Sequence, residues 1–278
     1  MVNFMKRLLV LFFLQYFWSS NVHAENKTIV FVSILPQQYI VSQIGTDLVD
    51  VRVMVGPGQS PATYEPTPQQ MVALSKADVY FRIGVPFESA WLDKIKLNNK
   101  NLIIVECCDL ISDLKAESNS HDTDYDPHVW TSPKNVIKIA ELIKNYLIKV
   151  DEKNTDSYIT MEKEFKEKLL VLDKNIKDKI KNLKDRILIV AHPSWGHFSN
   201  EYGFTQVSME REGKEIQARS LVRLIKMAKL NNIKAIFTQP QFNDRAAKVI
   251  ANELNAEIIV LDPLALNYIE NMNIVTDS

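Results

Sequence analysis

Residues 155–184 read TDSYITMEKEFKEKLLVLDKNIKDKIKNLK, and this stretch decides the fold. Tyr158, Phe165, Leu169, Leu172, Ile176, Ile180 and Leu183 recur at spacings of three, four or seven, the period of one helix face. No Gly or Pro interrupts the run, and the Lys and Glu residues between form a solvated face. At 1.5 Å per residue an unbroken helix of this length runs about 45 Å, enough to cross two lobes. A helix this long makes a poor hinge, so small lobe movements are expected.

The same alternation lies on either side of it. Before it, 28–34, 49–55, 78–84 and 101–106 are short, nearly continuous apolar runs that read as buried strands, with helices expected at about 37–46, 68–76 and 86–95. Ser132-Pro133 opens a further amphipathic helix. After it, strands are expected at 185–192, 204–209, 233–239 and 256–262, and helices at about 195–202, 217–230 and 243–254. Repeated strand–helix order implies mostly parallel sheets. The expected fold class is therefore α/β: two (β/α) lobes joined by one long backbone helix, with any ligand site in the cleft between them. Met1 to Ala24, with a basic start, a short apolar core and a Val-x-Ala end, reads as a secretory signal peptide. The expected division is 1–24 signal peptide, 25–150 first lobe, 151–185 linking helix and 186–278 second lobe. No cysteine stands at the cleavage point, so no lipid anchor is expected.

Composition narrows the function classes. A formal net charge of −1 over 278 residues gives no electrostatic handle for nucleic acid or an anionic membrane. The two cysteines, Cys107 and Cys108, are adjacent and read as two small thiols at a strand end rather than a disulfide framework.

In α/β sheets ligands bind beyond the C-terminal ends of strands. His192 ends one expected strand beside Pro193, Asp262 ends another beside Pro263, and His128 lies in DYDPHVWTSPKN. Two imidazoles and a carboxylate suit a divalent first-row metal, zinc above all. Spacing alone is a weak signal, and taken singly each histidine fits a structural role as well.

One loop sharpens the reading. GQSPATYEPTPQQM, residues 58–71, carries three prolines and a Thr67-x-x-Gln70 capping box with Pro68 at the first helical position. Such a frame holds a side chain in place, yet Ala62 at its centre can ligate nothing.

PATYEPTPQQMVALSKADVYFRIGVPFESAWL, DPHVWTSPKN, AHPSWGHFSNEYGF, EGKE and FTQPQF...LDPLA resemble, in order, the blocks of the metal-binding solute-binding proteins of zinc and manganese ABC importers, the high-affinity periplasmic zinc-uptake type (cluster A-I). The resemblance spans essentially the whole mature chain. It implies two α/β lobes on a rigid helix, one metal between them and no catalysis. It also implies zinc transport in metal ion homeostasis: a periplasmic, monomeric protein that delivers Zn²⁺ (alternatively Mn²⁺ or Fe²⁺) to an ABC importer membrane permease. Membrane contact would then come only through that permease. The family's second, third and acidic fourth ligands fall on His128, His192 and Asp262. Its first ligand, usually a His, falls on Ala62, and Gln239 stands where many members carry Glu. Glu65, His121 and Glu215 are candidate substitutes or supporting groups. The alternative is a protein of the same fold with a weakened or altered site, serving as an adhesin or carrying another cargo.

Overall fold

In the computed structural model, residues 27–109, 111, 125–211 and 214–278 are described, with only the backbone course given for 211, 214 and 215. The expected signal peptide and His121 lie outside them. The first lobe runs β1 (Thr28–Val32), α1 (Leu35–Gly45), β2 (Val49–Val53), α2 (Pro68–Leu74), β3 (Val79–Arg82), α3 (Pro86–Asn98) and β4 (Ile103–Glu106). Its four strands are parallel in the order β2-β1-β3-β4. Helices α4 (Pro133–Val150) and α5 (Thr155–Ile180) follow. The second lobe runs β5 (Ile187–Val190), α6 (Gly196–Tyr202), β6 (Thr205–Ser208), a short hairpin of β7 (Glu210–Arg211) and β8 (Lys214–Glu215), α7 (Ala218–Leu230), β9 (Ala235–Thr238), α8 (Arg245–Leu254), β10 (Glu257–Val260) and α9 (Tyr268–Asp277). Its main sheet is also parallel, ordered β10-β9-β5-β6.

The eight expected strands form, each trimmed where a residue leaves the ladder to enter a loop. α5 buries Tyr158, Phe165, Leu169, Leu172, Ile176 and Ile180 against α1, α4 and α9. Each such apolar side chain contributes about 1.5–3 kcal/mol relative to exposure. The helix stops at Ile180, short of the expected Lys184, and Leu183 is exposed rather than part of the stripe. Arg186 ends it, donating from Nη2 to the Ile180 carbonyl at 3.1 Å and from Nε toward Leu183 O at 3.4 Å. Both cysteines are free thiols, Cys107 buried and Cys108 partly so, and burial pushes both thiol pKa values up. Among the described residues no helix is long and apolar enough to cross a membrane.

Under the first sheet, Arg82 Nε pairs with Glu88 at 3.1 Å and Glu106 at 2.9 Å. Burial pushes the Glu106 pKa up to about 7, against the pull of Arg82 and with repulsion from Glu88 added. A carboxyl with a raised folded value stabilises the fold below its unfolded value and loses that contribution as pH rises through about 7. Thermal melts of the wild type are therefore expected to drop from pH 5 to pH 8 by roughly 2–4 °C more than those of Glu106→Gln, the size of effect about 1 kcal/mol makes in a chain this long. Parallel pH dependence in the two proteins contradicts this.

Candidate metal centre

His128, His192 and Asp262 each sit just past a strand or in a loop. His192 follows β5 by two residues, Asp262 follows β10 by two, and the 54–67 loop follows β2. The parallel topology brings these ends together at the interface of the lobes.

The 58–71 frame forms as its sequence predicts. Thr67 Oγ1 accepts from the Gln70 N–H, and Gln70 Oε1 accepts from the Thr67 N–H at 3.0 Å. Tyr64 Oη–H donates to Gln70 Oε1 at 2.6 Å, and its ring meets Phe87 edge-on at 5.0 Å. The Gln70 amide donates to Met54 O at 2.9 Å. Phe87 N–H donates to Pro61 O at 3.3 Å, tying the loop to the start of α3. Ala62 is exposed on this rigid mount, and it lines the cavities that also border His192.

His128 and His192 come together edge-on, with ring centroids 5.3 Å apart and planes at 75°. Each ring is backed by a carboxylate. His128 Nδ1 lies 2.7 Å from Asp126 Oδ1, which also accepts the His128 backbone N–H at 2.9 Å. His192 Nδ1 lies 2.9 Å from Glu210 Oε2. A carboxylate only accepts, so both Nδ1 atoms carry their protons and Nε2 is the nitrogen a metal takes from each ring. This is the carboxylate–histidine arrangement that orients metal-ligating imidazoles. Burial holds the His128 pKa below the usual imidazole range despite Asp126. Asp126 stays below the ordinary carboxylate value: burial works to raise it, but the attraction and hydrogen bonds of His128 outweigh that. Phe242 stacks on His192 at 4.5 Å and 14°.

The surroundings lock these loops. His197, buried, bonds through Nε2 to Asp126 O at 3.0 Å and through Nδ1 to Asn135 at 3.2 Å, so it supports the loop rather than facing the cleft. Trp130 Nε1–H donates to Pro263 O at 2.7 Å and walls the small cavity between the histidines. Gln239 donates from Nε2 to His192 O at 3.2 Å and to Ser194 Oγ. That use of an amide N–H is closed to the Glu expected there in the family pattern.

Asp262 stands one cavity over. Its Oδ1 accepts from Gln241 Nε2 at 2.8 Å and from the Leu264 N–H at 2.9 Å. It borders a cavity of about 160 Å³, whereas the histidines border one of about 40 Å³; Gln241 lines both. Among the described residues, no three His, Cys, Asp or Glu side chains converge closely enough to hold one ion as they stand. Glu65 is exposed and lines none of these cavities. The Glu215 side chain, like His121, lies outside what is described.

Sequence reasoning passed over Asp126, Glu210 and Gln241. Asp126 had a signal: an Asp two residues before a loop residue makes an Asx turn on its N–H. Glu210, 18 residues from its histidine, had none.

A family model for ZnuA, the periplasmic zinc-uptake complex component A, matches residues 30–278. A solved structure described as ZnuA is 37% identical, covers 91% of this chain and 97% of its own, and superposes with a TM-score of 0.86. A putative metal-binding protein of Chlamydia muridarum is 25% identical over 270 residues, 95% of each chain. The manganese ABC transporter substrate-binding lipoprotein PsaA of Streptococcus mitis is 29% identical over 235 residues, 79% of this chain and 74% of its own. With a match across nearly all its described length, this chain belongs to the ZnuA family of extracytoplasmic substrate-binding proteins of metal ABC transporters, which are not enzymes and work with a membrane permease.

Proposed function

We infer that this protein captures a divalent transition metal, zinc foremost, and presents it to the permease of an ABC importer. The observation that supports this best is the pair of carboxylate-backed imidazoles, His128 and His192, edge-on to one another at 5.3 Å. His128 and His192 take the ion through Nε2, Asp262 moves in from one cavity over to supply the acidic ligand, and water fills any remaining position. Two neutral nitrogens place zinc above manganese and iron in intrinsic affinity. Export by the 1–24 signal peptide puts the protein on the outer side of the membrane, where the cargo is met. A built imidazole pair favours this reading over adhesion independent of metal.

Equilibrium dialysis of protein purified without added metal, against zinc and then manganese, tests it. One zinc per chain, held more tightly than manganese, is expected. Binding of neither, or of several ions unaffected by His128→Ala, contradicts the reading.

The support around His128 makes a second expectation. A methyl on Gly196 would overlap Asp126 Oδ2, so Gly196→Ala pushes that carboxylate off its seat. Loss of such a supporting group typically costs about 10–100-fold in metal affinity. Zinc competition titration should show that loss with the helical content unchanged; wild-type affinity would remove Asp126 from the account.

A further inference from the structure

We propose that Gln241 is a metal ligand, its side-chain carbonyl supplying the donor that the loop at Ala62 lacks. The proposal rests on the metal-capture reading above and adds a residue to it.

Three observations converge on this side chain. Gln241 lines the roughly 40 Å³ cavity with Ala62, His128 and His192, and that volume is about what one or two small bound species need. Its Oε1 is shielded from solvent and has no hydrogen-bond partner among the described residues. A buried carbonyl left so is destabilising and calls for a partner that arrives later. Third, the amide is oriented rather than loose, because Nε2 donates to Asp262 Oδ1 at 2.8 Å. That carboxylate oxygen also accepts from the Leu264 N–H, so a seated acceptor fixes which end of the amide faces it. Rotating the amide would set two oxygens against each other.

The chemistry follows from that orientation. A carboxylate accepting from Nε2 draws electron density toward Oε1 and makes it a better donor, as an anionic partner does for a ligating imidazole. Gln241 then joins Asp262 to the ion: Oε1 binds directly while Nε2 keeps the carboxylate in register. A neutral oxygen is a weaker and harder donor than an imidazole. The site therefore discriminates less between zinc and manganese than one with three histidines, and releases its ion more readily.

Zinc affinity of the full mature chain, measured by competition with a chromophoric chelator, tests this in wild type, Gln241→Leu, Gln241→Glu and Ala62→His/Gln241→Leu. Gln241→Leu is expected to bind zinc at least about tenfold more weakly. Gln241→Glu keeps an oxygen donor but loses the Nε2–H that holds Asp262, and is expected to bind zinc with an affinity between those of the wild type and Gln241→Leu. The double variant is expected to recover the lost affinity, since an imidazole then supplies the missing donor, which a misfolded protein cannot do. Wild-type affinity in Gln241→Leu, with affinity lost in His128→Ala, overturns this inference alone. No zinc uptake by the wild type overturns it together with the reading on which it rests.

Discussion

Replacing either His128 or His192 by alanine is expected to weaken zinc binding by about 100-fold, and replacing both to abolish it. The magnitude comes from four-ligand zinc sites, whose roughly 10–16 kcal/mol amounts to about 3 kcal/mol per ligand, or some two decades in affinity. The structure gives reasons for a full effect at each position. Neither imidazole is interchangeable with a neighbour: His197 is turned to Asp126 O and Asn135, and Glu65 lines none of the surrounding cavities. Each ring is also held by its own carboxylate, so removing it takes the ring N–H away from Asp126 or Glu210. Isothermal titration of the single variants at pH 7 checks this. A loss of less than about threefold at both positions would mean the ion binds elsewhere.

The second large effect runs the other way. Ala62→His is expected to raise zinc affinity by about tenfold, the two decades of one imidazole less the roughly one decade of the Gln241 carbonyl it displaces. The loop that carries Ala62 is complete: the Thr67–Gln70 box, the Tyr64 hydroxyl on Gln70 and the Phe87 N–H on Pro61 O all hold it in place. Ala62 borders the same two cavities as His192, and the larger, about 420 Å³, leaves room for an imidazole. Nothing has to be rebuilt for the new side chain to reach the ion. An unchanged affinity would show that the loop is not aimed at the histidine pair. It would also separate the capping frame, which is conformational, from any role in binding.

Much of this could be read from residues in order, because strand and helix patterns are local. Nearly continuous runs such as TIVFV and ILIV mark buried parallel strands, and the stripe on α5 marks a helix packed along one side. Features that depended on non-local contact were not legible. The hairpin β7–β8 has two residues per strand, too few to show a period. Helix α9 buries only Tyr268 and Met272 within its span, so its pattern is faint, although it packs across α5 and α1. His192 was legible as a strand-end residue and His128 as a residue of the DYDPHVWTSPKN loop, where Asp126 also left a local signal; Glu210 left none, because it reaches His192 only through the pairing of β5 with β6. Ala62 was legible as an anomaly because its frame is built from local capping rules. What compensates for it, Gln241, lies far along the chain in the other lobe and is brought near only by the fold.

The central claim is that one divalent ion sits between the two imidazoles at the lobe interface. Zinc-edge X-ray absorption on the protein loaded with one equivalent of zinc tests it most directly. Multiple scattering from two imidazoles with oxygen donors completing the shell is expected, with loss of that signature in His128→Ala/His192→Ala. A wild-type spectrum of oxygen donors alone, without imidazole scattering, would contradict it.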